Sequence, residues 1–183
     1  MKSNISLEPA PDVSASSNRK DNAHGSQSSI AYRLLLVPVD FSEHSKKIIQ
    51  DARQLAALTG AGIRLLHVFQ IPEFPAAFYH GLYLENEAVK LHLDTAKREA
   101  LTQLSLIAEQ MRDDGLQAEP LLRHGNPYEE ILKAATEFGV DLIVIGSHGY
   151  TGLGRLVLGS TADRVLHNAP CPVLVVKDPF AHQ

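Results

Sequence analysis

The chain has 183 residues, 44% of them hydrophobic, with 17 Lys and Arg against 21 Asp and Glu and a formal charge of −4. That size and apolar share suit one domain with a full core, plus a tail. The acidic balance offers no basic stripe for nucleic acid and no basic amphipathic helix for a membrane surface, and no apolar run nears the ~20 residues that span a bilayer.

The first thirty residues, rich in Ser, Asn, Asp and Pro, lack the apolar segment of a secretory signal and bury almost nothing. Residues 1–30 are therefore expected to form a disordered tail, with one domain over 31–183. RLLLVPVD (33–40) reads as a strand buried on both faces. Ser42 can cap a helix that places Ile48, Ile49, Ala52, Leu55 and Ala56 on one face and stops near Gly60. IRLLHVFQ (63–70) is a second strand. The connection IPEFPAAFYHGLYLEN carries two prolines and several aromatics, for which packing on a neighbouring helix is favoured over a lid or partner surface.

A long helix follows from Glu85 to Arg112, with Val89, Leu93, Ala96, Ala100, Leu104, Ile107 and Met111 as its inner stripe. QAEPLLRHG (117–125) is a weaker strand whose Pro120 points to a sheet edge. Asn126, Pro127 and Glu129 start the next helix, which ends at Phe138-Gly139. DLIVIG (141–146) is a fourth strand, Ser160–Asn168 a last helix and VLVVK (173–177) a fifth strand. Strands alternating with helices give a parallel α/β sandwich with helices on both faces.

Parallel sheets bind ligands beyond the carboxyl ends of their strands, where strand order reverses. Two strand ends are notable: Pro38-Val39-Asp40, and the glycine-rich stretch GSHGYTGLGRLVLGST after the fourth strand. Gly146 and Gly149 permit a tight turn and close approach of N–H groups. Gly159-Ser160 opens a helix whose N-terminus favours anions. Ser160 with Asp163 also matches a capping box, so spacing alone leaves phosphate binding and simple capping equally open. A Walker A loop is disfavoured, because Arg155-Leu156 stands where Lys and Ser/Thr belong. A dinucleotide fingerprint is disfavoured, because Val157 replaces its third glycine.

Gly146-x-x-Gly149, nine residues, then Gly159-Ser160, with VPVDFSEHS, LLHV and APCPVLVVK in order, resembles the universal stress protein family over about residues 31–177. The resemblance implies a doubly wound sheet of five parallel strands in the order 3-2-1-4-5. It also implies an ATP-binding branch, with magnesium arriving on the nucleotide. Asp40 would sit at the ribose, and Pro38, Val39 and Val68 would line the adenine slot. Ile145 and Gly146 would floor the site, and His148 and Gly149 would run along the phosphates. Gly159, Ser160 and Thr161 would hold phosphate oxygens. The family commonly forms a homodimer through the edge strand, here 173–177, which also covers an aggregation-prone edge. The expected role is a nucleotide-dependent regulatory or interaction module in a stress response. The alternatives are a homodimer acting through protein contacts without nucleotide, and a slow ATP hydrolase or self-phosphorylating protein.

Other chemistry is weaker. Nine histidines, among them His67, His124 and His148, lack ligand spacing, so no metal site is expected. Ser147-His148 adjacency makes no catalytic dyad, and no catalytic residue is assigned. The single cysteine, Cys171, permits no intrachain disulfide, fits a reducing cytoplasm and reads as a small packed hydrophobe.

Overall fold

The computed structural model describes residues 32–70, 87–147 and 158–177. The expected tail at 1–30, the aromatic connection beyond Gln70 and the glycine-loop residues His148, Gly149 and Arg155 lie outside the described residues. The elements are β1 (Leu34–Pro38), α1 (Glu43–Thr59), β2 (Gly62–Phe69), α2 (Glu87–Asp113), β3 (Ala118–His124), α3 (Pro127–Glu137), β4 (Leu142–Gly146), α4 (Ser160–Asn168) and β5 (Val173–Val176). They build one parallel sheet in the order β3-β2-β1-β4-β5.

The central strands divide their apolar residues by parity, as a pleated strand covered on both faces must. Leu35, Val37, Ile63, Leu65, Leu142 and Val144 join α1 and α2 in one core layer. Leu36, Leu66, Ile143 and Ile145 join α3 and α4 in the other. Arg33 N–H and Leu34 N–H both donate to the Asp141 carboxylate at 2.9 Å, tying the start of β1 to the start of β4. Pro120 stands in β3 opposite Leu65, on an edge strand as its missing N–H requires.

Helix ends follow local chemistry. Gly60 closes α1 in the left-handed conformation at φ 74°, and its N–H donates to the Ala56 carbonyl. Asn126 caps α3 by accepting from Tyr128 N–H at 3.3 Å, with Pro127 at the first helical position.

Two expectations need correction. Ser42 occupies the N-cap of α1 but makes no side-chain capping bond, because its hydroxyl is drawn to the Asp40 carboxylate at 2.6 Å. The inner stripe of α2 is fully buried only from Ala100 through Leu104 to Met111, joined by Ala108. Val89, Leu93, Ala96 and Ile107 are half-buried.

Candidate functional site

Strand order reverses between β1 and β4. From β1 the chain passes through α1 in one core layer, and from β4 it reaches α4 in the other. A crevice opens beyond the carboxyl ends of these two strands, as the strand-order rule requires. It holds a cavity of about 640 Å³, within the usual range for small-molecule sites.

Pro38, Val39 and Asp40 enter the cavity from the end of β1 and Val68 from β2. Ile145 and Gly146 form its floor at the end of β4, and Gly159, Ser160 and Thr161 close it from the start of α4. Every predicted site residue among the described ones therefore lines one cavity. Sequence reasoning missed Ser45, Gln70, Tyr128 and Arg164, which also line it. Ser45 carried a signal, for it shares the helical stripe of Ile48, Ala52 and Ala56. Tyr128 and Arg164 sit on different helices, and no local pattern joins them.

Asp40 is held from several directions. Its Oδ1 accepts from Ser42 N–H at 3.1 Å, Ser42 Oγ at 2.6 Å and Ser45 Oγ at 2.7 Å. The Asp40 N–H in turn donates to Ser45 Oγ at 3.1 Å. Burial pushes the carboxyl pKa up, but the Ser42 and Ser45 hydroxyls and the backbone donors outweigh it. The group thus lies below the ordinary carboxylate range and is ionised at neutral pH.

The next residue, Phe41, takes φ 60°, a left-handed conformation that a bulky side chain adopts at a cost of about 1–3 kcal/mol. Its ring lies 4.3 Å from the His67 ring, tilted by 31°. His67 Nδ1 donates to the Val39 carbonyl at 2.8 Å, so the proton sits on Nδ1. His67 is thus a packed strand residue that braces the Val39–Phe41 turn.

At the N-terminus of α4 the capping-box alternative is not formed. Gly159 is the N-cap, Ser160 is the first helical residue, and no side chain caps the turn. Gly159 N–H donates to the Ser147 carbonyl at 2.8 Å. The N–H groups of Ser160, Thr161 and Ala162 precede the first intrahelical bond, from Asp163 N–H to the Gly159 carbonyl. All three residues line the cavity. The positive end of the helix therefore faces the cavity, and among the described residues no side chain caps its donors.

One turn further along α4, the Arg164 guanidinium carbon lies 4.8 Å from the Tyr128 ring centroid. Among the described lining residues Asp40 is the single carboxylate and Arg164 the single permanent cation. Val39, Leu66, Val68, Ile131 and Ile145 supply apolar wall. This arrangement suits a flat apolar group joined to an anion. Cys171 lies half-buried outside the cavity, and burial pushes its thiol pKa up, the opposite of a reactive thiolate.

Residues 31–177 match the model of the universal stress protein family. Universal stress protein MJ0577 of Methanocaldococcus jannaschii is 32% identical, over 81% of this chain and 97% of that protein. Universal stress protein YxiE of Bacillus subtilis is 34% identical, over 80% of this chain and 99% of that protein. A solved structure of MJ0577 superposes with a TM-score of 0.68 at 30% identity, covering 81% of this chain and 98% of that one. Two further solved universal stress proteins are complexes, one with cAMP and one, from Archaeoglobus fulgidus, with dAMP. They are 22% and 23% identical, cover 80% and 81% of this chain and 98% and 100% of theirs, each with a TM-score of 0.54, a likeness of fold.

Proposed function

The chain belongs to the universal stress protein family, and from that premise we propose that its cavity binds ATP as the signal of a nucleotide-dependent regulatory module in a stress response. The observation that carries this reading is the uncapped N-terminus of α4, opening on an apolar-walled cavity at the sheet's reversal point. In this reading the base lies against Val39, Val68 and Pro38, Asp40 meets the ribose, and the amides of Ser160, Thr161 and Ala162 receive the phosphates. Ile145 and Gly146 form the floor, Gly159 joins the phosphate end, and magnesium enters with the nucleotide. The cAMP and dAMP complexes of the two distant universal stress proteins support a nucleotide as the class of ligand.

The helix end contributes only ~0.3–1 kcal/mol to anion binding, whereas micromolar affinity needs about −8 kcal/mol. Base burial must therefore supply much of the affinity, and the apolar walls provide for it.

The test is calorimetry with ATP and magnesium on wild type and on Ser160→Asp. An acid at the first helical position favours the helix dipole and keeps the fold, yet repels phosphate. Micromolar binding by wild type, weakened more than about tenfold in the variant, is the expected result. No binding by wild type, or equal binding by both, refutes the reading.

The proposal extends to assembly and compartment. β5 is a sheet edge, and Leu174 on it is 41% exposed. Pairing with the same strand of a second copy would cover that edge. Sedimentation at tens of micromolar protein should show a dimer, and a monomer there counts against it. Among the described residues no helix is long and apolar enough to cross a membrane, and the proposed compartment is the cytoplasm.

A further inference from the structure

Arg164 stands out from the other arginines of the described residues. Arg33, Arg53, Arg64 and Arg123 pair with carboxylates. Arg98 and Arg112 bond backbone carbonyls. The Arg164 guanidinium has neither kind of partner among the described residues; it lies over the Tyr128 ring, at 4.8 Å from guanidinium carbon to ring centroid, and lines the cavity.

Its place on α4 explains what it can reach. Arg164 follows Ser160 by four positions and so shares its helix face, one turn away. Helical side chains lean toward the N-terminus, which carries a long side chain back over the first turn. The first turn is where the amides of Ser160, Thr161 and Ala162, which precede the first intrahelical bond, line the cavity. Tyr128 supplies a platform that removes rotamer freedom from the guanidinium before any ligand arrives, while its N–H fork stays available at the edge of the stack.

We infer that Arg164, docked on Tyr128, is a side chain by which this cavity favours a phosphorylated nucleotide over its uncharged nucleoside. The inference rests on the nucleotide reading above and adds a side-chain determinant to a phosphate subsite otherwise built from the amides of α4. In that reading the base and ribose meet Val39, Val68 and Asp40, carried at the ends of β1 and β2 rather than on α4, so their binding does not depend on the guanidinium. The phosphate chain, delivered to the start of α4, completes the ion pair that Arg164 lacks. Because Arg164 is exposed, solvent screens the pair, and the effect is a modest factor in affinity.

The experiment is calorimetry with ATP and with adenosine on wild type, Arg164→Gln and Arg164→Lys at low and high salt. An exposed position makes either variant compatible with folding, which circular dichroism checks. Arg164→Gln should weaken ATP about three- to tenfold and adenosine by less than about twofold. The lysine variant keeps the charge but loses the flat stack, and should fall between. The salt dependence of ATP binding should be shallower in Arg164→Gln than in wild type, a change that a merely structural arginine would not produce. Equal losses for ATP and adenosine, or unchanged ATP binding, overturn the role of Arg164 and leave the nucleotide site standing. Failure of wild type to bind either ligand overturns the nucleotide reading itself, and this inference with it.

Discussion

Ser45→Ala should unsettle both the fold and the site, because one buried hydroxyl serves two partners. Ser45 is 2% exposed. Its Oγ donates to Asp40 Oδ1 at 2.7 Å and accepts the Asp40 N–H at 3.1 Å. A hydrogen bond to a charged acceptor is worth ~1.5–3 kcal/mol, and a buried N–H left alone costs about 1–3 kcal/mol. Asp40 is half-buried beside a cavity, so both terms take the lower end of their ranges. The expected loss is about 2–3 kcal/mol at pH 7, read by denaturant unfolding.

The same variant has a pH signature. The folded Asp40 carboxyl lies below its ordinary value, with burial opposing and the serine donors prevailing. Stability from a depressed carboxylate is fully present above the unfolded pKa, near 3.9, and is lost as pH falls through the lower folded value. The penalty of Ser45→Ala should therefore shrink as the pH drops below about 4, toward the ~1 kcal/mol owed to the orphaned N–H. A penalty below ~0.5 kcal/mol at pH 7, or one that does not change with acid, would refute the account of Asp40 given above.

Met111 is fully buried between α2 and the sheet, and Met111→Ala should cost about 2–5 kcal/mol in the same assay. Asn126→Ala removes the cap of α3 and should cost ~1 kcal/mol, seen as a lowered thermal midpoint. Gly60 has φ 74° with nothing within 4 Å of a built Cβ, so Gly60→Ala should cost about 1 kcal/mol from backbone conformation alone. ATP at a hundred times its Kd should stabilise wild type by ~2.7 kcal/mol, raising its thermal midpoint.

The sheet was readable because its signals are local. Each strand is a short apolar run between turn residues, and Gly60, Gly139 and Asn126-Pro127 mark helix ends by their own backbone chemistry. The strand order and the site positions came through the resemblance to a family, since no local pattern says which strands are neighbours. Ser42 misled, and the choice at Ser160 stayed open, for different reasons. A hydroxyl before a helix is a cap only if nothing better competes, and the Asp40 carboxylate outbids the amides of α1. At α4 the backbone of Gly159 takes the cap position, which leaves Ser160 one residue inside. The Tyr128–Arg164 stack was illegible because thirty-odd residues and a strand separate its halves, and only the packing of α3 on α4 brings them together.

The bond from Gly159 N–H to the Ser147 carbonyl fixes two posts at the mouth of the cavity. Ser147 is itself held to β5 through the Val176 carbonyl, so the first post belongs to the sheet and the second to the helix. Both bonds run between backbone atoms, so the join of sheet to helix owes nothing to side chains. Any residue but proline at 147 or 159 keeps their donors and acceptors. The register between the start of α4 and the floor of the cavity is therefore a property of the backbone, and it persists while side chains around it change.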